Sequence, residues 1–114
     1  MNITESRPWG TYTVLLDDVD CKVKTIIIKP GESPSYQYHF KRKEHWIIIQ
    51  GTGVLILNDI EREIKPGDCI FVDKLEKHKI INTGTVDIKF IEIQSGEYFG
   101  EDDIVRLEDK YGRK

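Results

Sequence analysis

Apolar and polar residues alternate with a period of two along most of the chain. Glycine, proline, asparagine and aspartate interrupt the alternation at intervals of about 8–12 residues, the spacing of short strands joined by tight turns. Thr11-Tyr12-Thr13-Val14-Leu15-Leu16 reads as a strand ending at Asp17-Asp18. Cys21 to Lys29 is the next, rich in β-branched residues and stopped by Pro30-Gly31. Ser35–Phe40 and Glu44–Gln50 follow as the two arms of a hairpin, and Val54–Leu57 returns after Gly51-Thr52-Gly53. Glu61–Lys65 alternates as a half-exposed strand, then come Cys69–Val72, His78–Asn82 and Val86–Gln94. Helical periodicity is confined to Asp102–Glu108, which predicts a short helix in the tail. The expected class is all-β, a jelly-roll barrel closed around one apolar interior and open at one end.

The departures from alternation carry more information than the rule. Ile26-Ile27-Ile28 and Ile47-Ile48-Ile49 are apolar on both faces. One barrel interior buries only one face of a strand, so the outer face is expected to meet another surface, most economically in a homodimer. Lys24 lies in phase with Ile26 and Ile28. A lysine among inward-facing isoleucines places it near the open end. Gln37 and His39, two apart on a strand, share a face, whereas His45 is out of phase with Glu44 and belongs outside. Cys21 and Cys69 have no CxxC partner or zinc-ribbon spacing and read as small buried side chains in a reducing compartment.

With 114 residues the chain is expected to form one domain over 1–114. A net charge of −3 with intermixed signs carries no basic footprint for nucleic acid. No polybasic or amphipathic run points to a membrane surface, and no apolar stretch approaches the ~20 residues of a span. Met-Asn-Ile-Thr-Glu-Ser lacks the regions of a signal peptide, so the cytoplasm is the expected location.

An amide oxygen (Gln37), an imidazole (His39), a carboxylate (Glu44) and a remote second imidazole (His78) make a donor set for one borderline divalent metal. Zinc suits it best, and Mn, Co, Ni or Fe are also compatible. The plainer alternative is a hairpin with solvated polar residues at its turn.

Gly31-x5-Gln37-x-His39-x4-Glu44-x6-Gly51 resembles the first cupin motif, with Gln37 in place of its first histidine. Gly67-x5-Asp73-x-Leu75-x2-His78-x3-Asn82 resembles the second, with Asp73 and Leu75 where the pattern has proline and glycine. A narrower resemblance spans almost the whole chain. Arg7-Pro8-Trp9-Gly10, Arg42-x-Glu44-His45-Trp46, Gly51-Thr52, the run from Gln94 to Arg106 and Asp109-x-Tyr111-Gly112-Arg113 are similar to the type II mannose-6-phosphate isomerase domain. In many relatives that domain is fused to a mannose-1-phosphate guanylyltransferase, an activity for which this chain has no glycine-rich nucleotide loop.

The resemblance implies a cupin-type double-stranded β-helix and metal-dependent interconversion of mannose 6-phosphate and fructose 6-phosphate. It also implies Gln37, His39, Glu44 and His78 as ligands and Arg106 as a catalytic residue. Lys24 matches a family lysine and is the second catalytic candidate, as proton relay or phosphate contact; Arg7 is a further candidate for the phosphosugar, and Tyr111 and Arg113 are weaker ones. Relatives commonly carry histidine where this chain has Phe40 and Lys41, so no further imidazole ligand is expected, and Lys41 should turn away from a metal or meet phosphate. Two other classes compete. A non-catalytic cupin module would bind a sugar or sugar phosphate without turning it over, and iron oxygenases and epimerases share the fold.

Overall fold

The computed structural model describes residues 3–108. The strands are β1 (Ile3–Arg7), β2 (Gly10–Asp17), β3 (Cys21–Ile28), β4 (Tyr36–Tyr38), β5 (Arg42–Gln50) and β6 (Gly53–Leu57). They continue with β7 (Ile60–Ile64), β8 (Cys69–Val72), β9 (His78–Ile81), β10 (Ile88–Gly96) and β11 (Val105–Glu108). Two antiparallel sheets result, ordered β1-β2-β3-β10-β5-β8 and β11-β4-β9-β6-β7. Among the described residues there is no helix, and none long and apolar enough to cross a membrane.

The inner faces of the two sheets close on one core. Ile26 and Ile28 of β3, Trp46 and Ile48 of β5, Ile88 and Phe90 of β10 and Ile70 and Val72 of β8 meet Leu55, Ile64 and Ile80 of the smaller sheet. Each such side chain contributes about 1.5–3 kcal/mol relative to exposure. Towards one end the same inward phase turns polar. Lys24 precedes Ile26 on β3, Arg42 and Glu44 precede Trp46 on β5, and Glu92 and Gln94 follow Phe90 on β10. Register aligns them, since Lys24 and Trp46 both pair with Glu92, and Glu44 pairs with Gln94. The expected place of Lys24 near an open end is thus observed.

Two expectations need correction. Ser35–Phe40 and Glu44–Gln50 do not form a hairpin: β4 pairs with β9 and β11, while β5 pairs with β10 and β8 in the other sheet. The chain crosses between sheets at Phe40-Lys41, whose amides donate to the Asp103 carboxylate at 3.0 and 2.9 Å instead of to a ladder. A second crossing follows β5, where Gly51 has φ of 85° and a Cβ would stand 2.6 Å from the Asp87 carbonyl oxygen, so only glycine fits. The predicted helix over Asp102–Glu108 is also absent. Its second half is β11, with Val105 opposite Tyr38 and Arg106 opposite Gln37. Helical propensity here yields to the unpaired edge of β4, which β-branched Ile104 and Val105 suit.

Smaller departures have similar causes. Strand β1 has no counterpart among the predicted strands because Thr4-Glu5-Ser6 has no apolar alternation; it is an edge strand paired with β2 across a turn that buries Trp9. Cys69 is exposed and Cys21 half-buried, not buried as expected, because both fall on the outward phase of their strands. Tyr111 and Arg113 lie outside the described residues.

Candidate functional site

Three strands bring the expected ligands together. Gln37 and His39 come from β4 and the residue after it, Glu44 from β5, and His78 from the start of β9, directly opposite Gln37 in register. Donor atoms of His39, Glu44 and His78 all lie within 4.8 Å of one another, and all three side chains are buried. Gln37 lines the same cavity, its Oε1 accepting a hydrogen bond from Ser35 Oγ at 2.8 Å.

Both imidazoles are oriented from behind. His39 Nδ1 donates to the Asp103 carbonyl at 2.6 Å and His78 Nδ1 to the Glu76 carbonyl at 2.9 Å. A carbonyl only accepts, so each ring carries its proton on Nδ1 and turns the Nε2 lone pair inward. His78 Nε2 is buried with no hydrogen-bond partner. Such an orphan acceptor costs about 1–3 kcal/mol. Backbone-anchored histidines with inward lone pairs are the arrangement metal-ligating imidazoles require. The residues therefore fit a divalent ion chemically: two neutral nitrogens, one carboxylate and an amide oxygen.

Electrostatics agree. Burial lowers the His39 pKa to about 4, which keeps the ring neutral and able to bind a cation at neutral pH. Burial alone would push the Glu44 carboxyl up, but the adjacent Arg42 guanidinium, with His78 and His39, holds it well below the usual carboxylate range. Glu92 is raised to about 8, by burial and then by the Glu44 charge. One carboxylate of this buried pair is held ionised and the other protonated.

Arg42, Glu92, Glu101 and Asp103 carry much of the site and are not among the residues the sequence predicts for it. Arg42 Nε donates to Glu44 Oε2 at 2.9 Å, and its Nη2 reaches His39 Nε2 at 3.2 Å. Trp46 Nε1 holds the other Glu44 oxygen at 2.9 Å. The available signal was phase, since Arg42 and Trp46 flank Glu44 at two-residue spacing. Glu101 and Asp103 had no comparable signal, because the turn that carries them has no strand period.

The other expected residues fall around a cavity of about 140 Å³. Lys24, Arg106 and Arg7 all line it. Lys24 Nζ donates to Glu101 Oε2 at 3.1 Å and stands 4.4 Å from the centroid of the Tyr12 ring. Arg106 enters from β11 beside Gln37. Arg7 sits at the rim, with Nη2 donating to the Tyr12 hydroxyl at 3.1 Å. Lys41 has turned away, its Nζ 5.2 Å from the centre of the Tyr98 ring. His45 lies outside against Phe71, with ring centres 4.8 Å apart.

Two sheets wrapped as a double-stranded β-helix, with imidazoles and a carboxylate turned into one end, define a cupin. The capsular polysaccharide assembling protein CapF of Staphylococcus aureus shares the fold with a TM-score of 0.81 and 22% identity, over 95% of this chain and 33% of that one. A double-stranded β-helix protein of Klebsiella pneumoniae does so at 0.79 and 21%, over 92% and 90% of the two chains. Within the class, the chain belongs to the family described as mannose-6-phosphate isomerase C-terminal, whose model matches residues 1–109. It is 41% identical over 107 residues to a mannose-1-phosphate guanylyltransferase of Salmonella montevideo, covering 94% of this chain and 23% of that enzyme. Over 111 residues it is 41% identical to the alginate biosynthesis protein AlgA of Pseudomonas aeruginosa, covering 94% and 22%. The chain thus spans less than a quarter of the curated relatives it matches.

Proposed function

We propose that the chain is a metal-dependent isomerase interconverting mannose 6-phosphate and fructose 6-phosphate, with Gln37, His39, Glu44 and His78 as the ligands of one divalent ion. The observation that carries this reading is the unpartnered, inward Nε2 of His78, set within reach of His39 and Glu44 in a cavity that Lys24 and Arg106 also line. Aldose–ketose isomerisation moves a proton between adjacent carbons while negative charge develops on the neighbouring oxygens. A bound divalent ion supplies Lewis-acid stabilisation of that charge. Arg106, entering beside Gln37, adds a fixed positive charge on the same side. Lys24 and Arg7, from the opposite sheet, bring the cationic surface that an anionic phosphosugar needs for positioning. Trp46 and Phe90, packed behind the polar end, exclude water from beneath it.

A second reading has its own support. Arg42 reaches both Glu44 and His39, so a guanidinium already neutralises the ligand set, as it would in a sugar-phosphate-binding module without catalysis. Metal analysis of untagged protein, paired with a coupled assay on both sugar phosphates, separates the two. Isomerase function predicts about one equivalent of metal and turnover that chelation abolishes. Fully metallated protein with neither turnover nor exchange of the C2 proton into solvent would leave the binding module in its place.

We also propose a second copy of the chain as the partner of the outer face. Ile47 and Ile49 of β5 and Phe71 of β8 are each exposed there, and β8 is an edge strand with one side unpaired, which a two-fold axis can pair with itself.

A further inference from the structure

Glu101 places its carboxylate where two buried cations converge. Lys24 is 3% exposed and donates from Nζ to Glu101 Oε2 at 3.1 Å; Arg42, 5% exposed, brings Nη1 to 3.5 Å from the same oxygen. The two cations differ in what else holds them. Arg42 is tied to Glu44 through Nε at 2.9 Å. Lys24 faces the Tyr12 ring, and Glu101 is the carboxylate that accepts from its ammonium. Yet the Glu101 side chain is 54% exposed and sits on the turn between β10 and β11, so it can leave without opening the core.

We infer that Lys24 and Arg42 form the anion subsite of this cavity, and that Glu101 fills it until the phosphoryl group of a substrate displaces it. This deepens the phosphosugar reading and rests on it. A buried ammonium needs an anion beside it. Glu101 meets that need with a single oxygen and a long contact to Arg42. A phosphoryl group carries about −1.5 to −2 charge and three strong acceptor oxygens, enough for Lys24 Nζ and Arg42 Nη1 together. The displaced carboxylate returns to water, which its exposure already half supplies. A neutral sugar offers no charge with which to compete, so Glu101 acts as a specificity residue that admits phosphorylated ligands and excludes their unphosphorylated counterparts.

The test is binding of inorganic phosphate to the chelated 114-residue chain by isothermal titration calorimetry at fixed ionic strength, without turnover. Glu101→Gln should bind phosphate at least about tenfold more tightly than wild type, because the competing charge is gone. Adding Lys24→Met to Glu101→Gln should abolish that gain. Equal or weaker binding by Glu101→Gln, or a gain that survives Lys24→Met, overturns the inference. If Glu101→Gln does not fold, Glu101→Asp withdraws the carboxylate by one methylene and should show a smaller gain of the same sign; no gain overturns the inference equally. Tight phosphate binding by Glu101→Gln in a chain that never turns over either sugar phosphate would remove the isomerase reading and leave the subsite. Turnover by wild type without any gain in Glu101→Gln would remove the subsite alone.

Discussion

The wall made by β4, β5 and β9 and the stretch from Glu97 to Glu108 serve the same cavity by different physics. On the wall, Glu44 and Arg42 are held by strands paired on both sides, and their neighbours two residues on are core: Trp46, then Ile48. Polar side chains there are continuous with the apolar interior, and each of them bears on folding. The 97–108 stretch is different. It meets the barrel through Glu97 and Tyr98 at Lys41, through Glu101, Asp103 and Arg106 at the cavity, and through β11 along the edge of β4. The lesson is a division of labour: the donor atoms, with the Arg42 and Trp46 that hold Glu44, are fixed by the strands, while the segment adds the carbonyl that orients His39 and the carboxylate that answers Lys24.

Breaking the wall should have the largest effect. Glu44→Ala strands Arg42 in the interior and leaves Trp46 Nε1 without its acceptor, so it should cost about 3–5 kcal/mol of stability by denaturant unfolding. Arg106→Ala, on the segment, should do the reverse under the isomerase reading: the metal and the unfolding midpoint stay, and kcat falls ~10²–10³-fold. A wild-type midpoint with unchanged kcat would show that Arg106 is only an edge-strand residue.

A pH titration sharpens the contrast within the wall itself. His39 has a folded-state pKa lowered to about 4 from an ordinary 6.5, so the unfolded chain takes up the proton first. Its contribution is complete above pH 6.5 and lost as pH falls towards 4, amounting to about 3 kcal/mol in chelated protein. Glu92 acts with opposite sign, since its raised pKa makes stability fall as pH rises from 4.5 to about 8. Wild type compared with His39→Gln should isolate the histidine; parallel stability curves between pH 4 and 6.5 would refute its assignment.

Asp103→Ala removes the acceptor of the Phe40 and Lys41 amides, both in exposed residues that water can reach. A loss of only about 1–2 kcal/mol is expected, with weaker metal affinity by calorimetry because the carboxylate that fixes the turn is gone, and with it the anchoring of the main-chain carbonyl that holds His39. The smallest effect on the cavity should come from the outer face. Ile47→Lys should alter stability by no more than about 0.5 kcal/mol and leave metal content unchanged, while light scattering shows monomer in place of dimer. A wild type that is already monomeric at micromolar concentration would remove the self-association proposal.

How far the sequence could be read follows from the same division. The wall was legible because strands alternate, so the shared face of Gln37 and His39, the inward phase of Lys24 and the outward phase of His45 needed only a period of two. Which sheet each strand joins was not. The joint between Phe40 and Lys41 looks like a hairpin turn until Asp103, more than sixty positions away, takes both amides. The helix predicted over Asp102–Glu108 fails for a related reason: the second half of that stretch answers to the open edge of β4 and not to its own composition. Arg42 lay in plain view, but its role depends on the distance to His39, which no spacing in the chain encodes.

Glu101 and Asp103 meet partners far back along the chain, Lys24 at a separation of 77 residues and His39 at 64. Both contacts are long-range, like the Cys21–Ser95 end of the β3–β10 ladder, so they form late on any route that first zips neighbouring strands. During synthesis the barrel wall leaves the ribosome well before the residues that orient His39. A refolding experiment with a metal-sensitive dye should therefore register the apolar core, through Trp46 fluorescence, before the protein can hold an ion. Until the last loop closes, the nascent chain is a barrel whose His39 has no fixed tautomer.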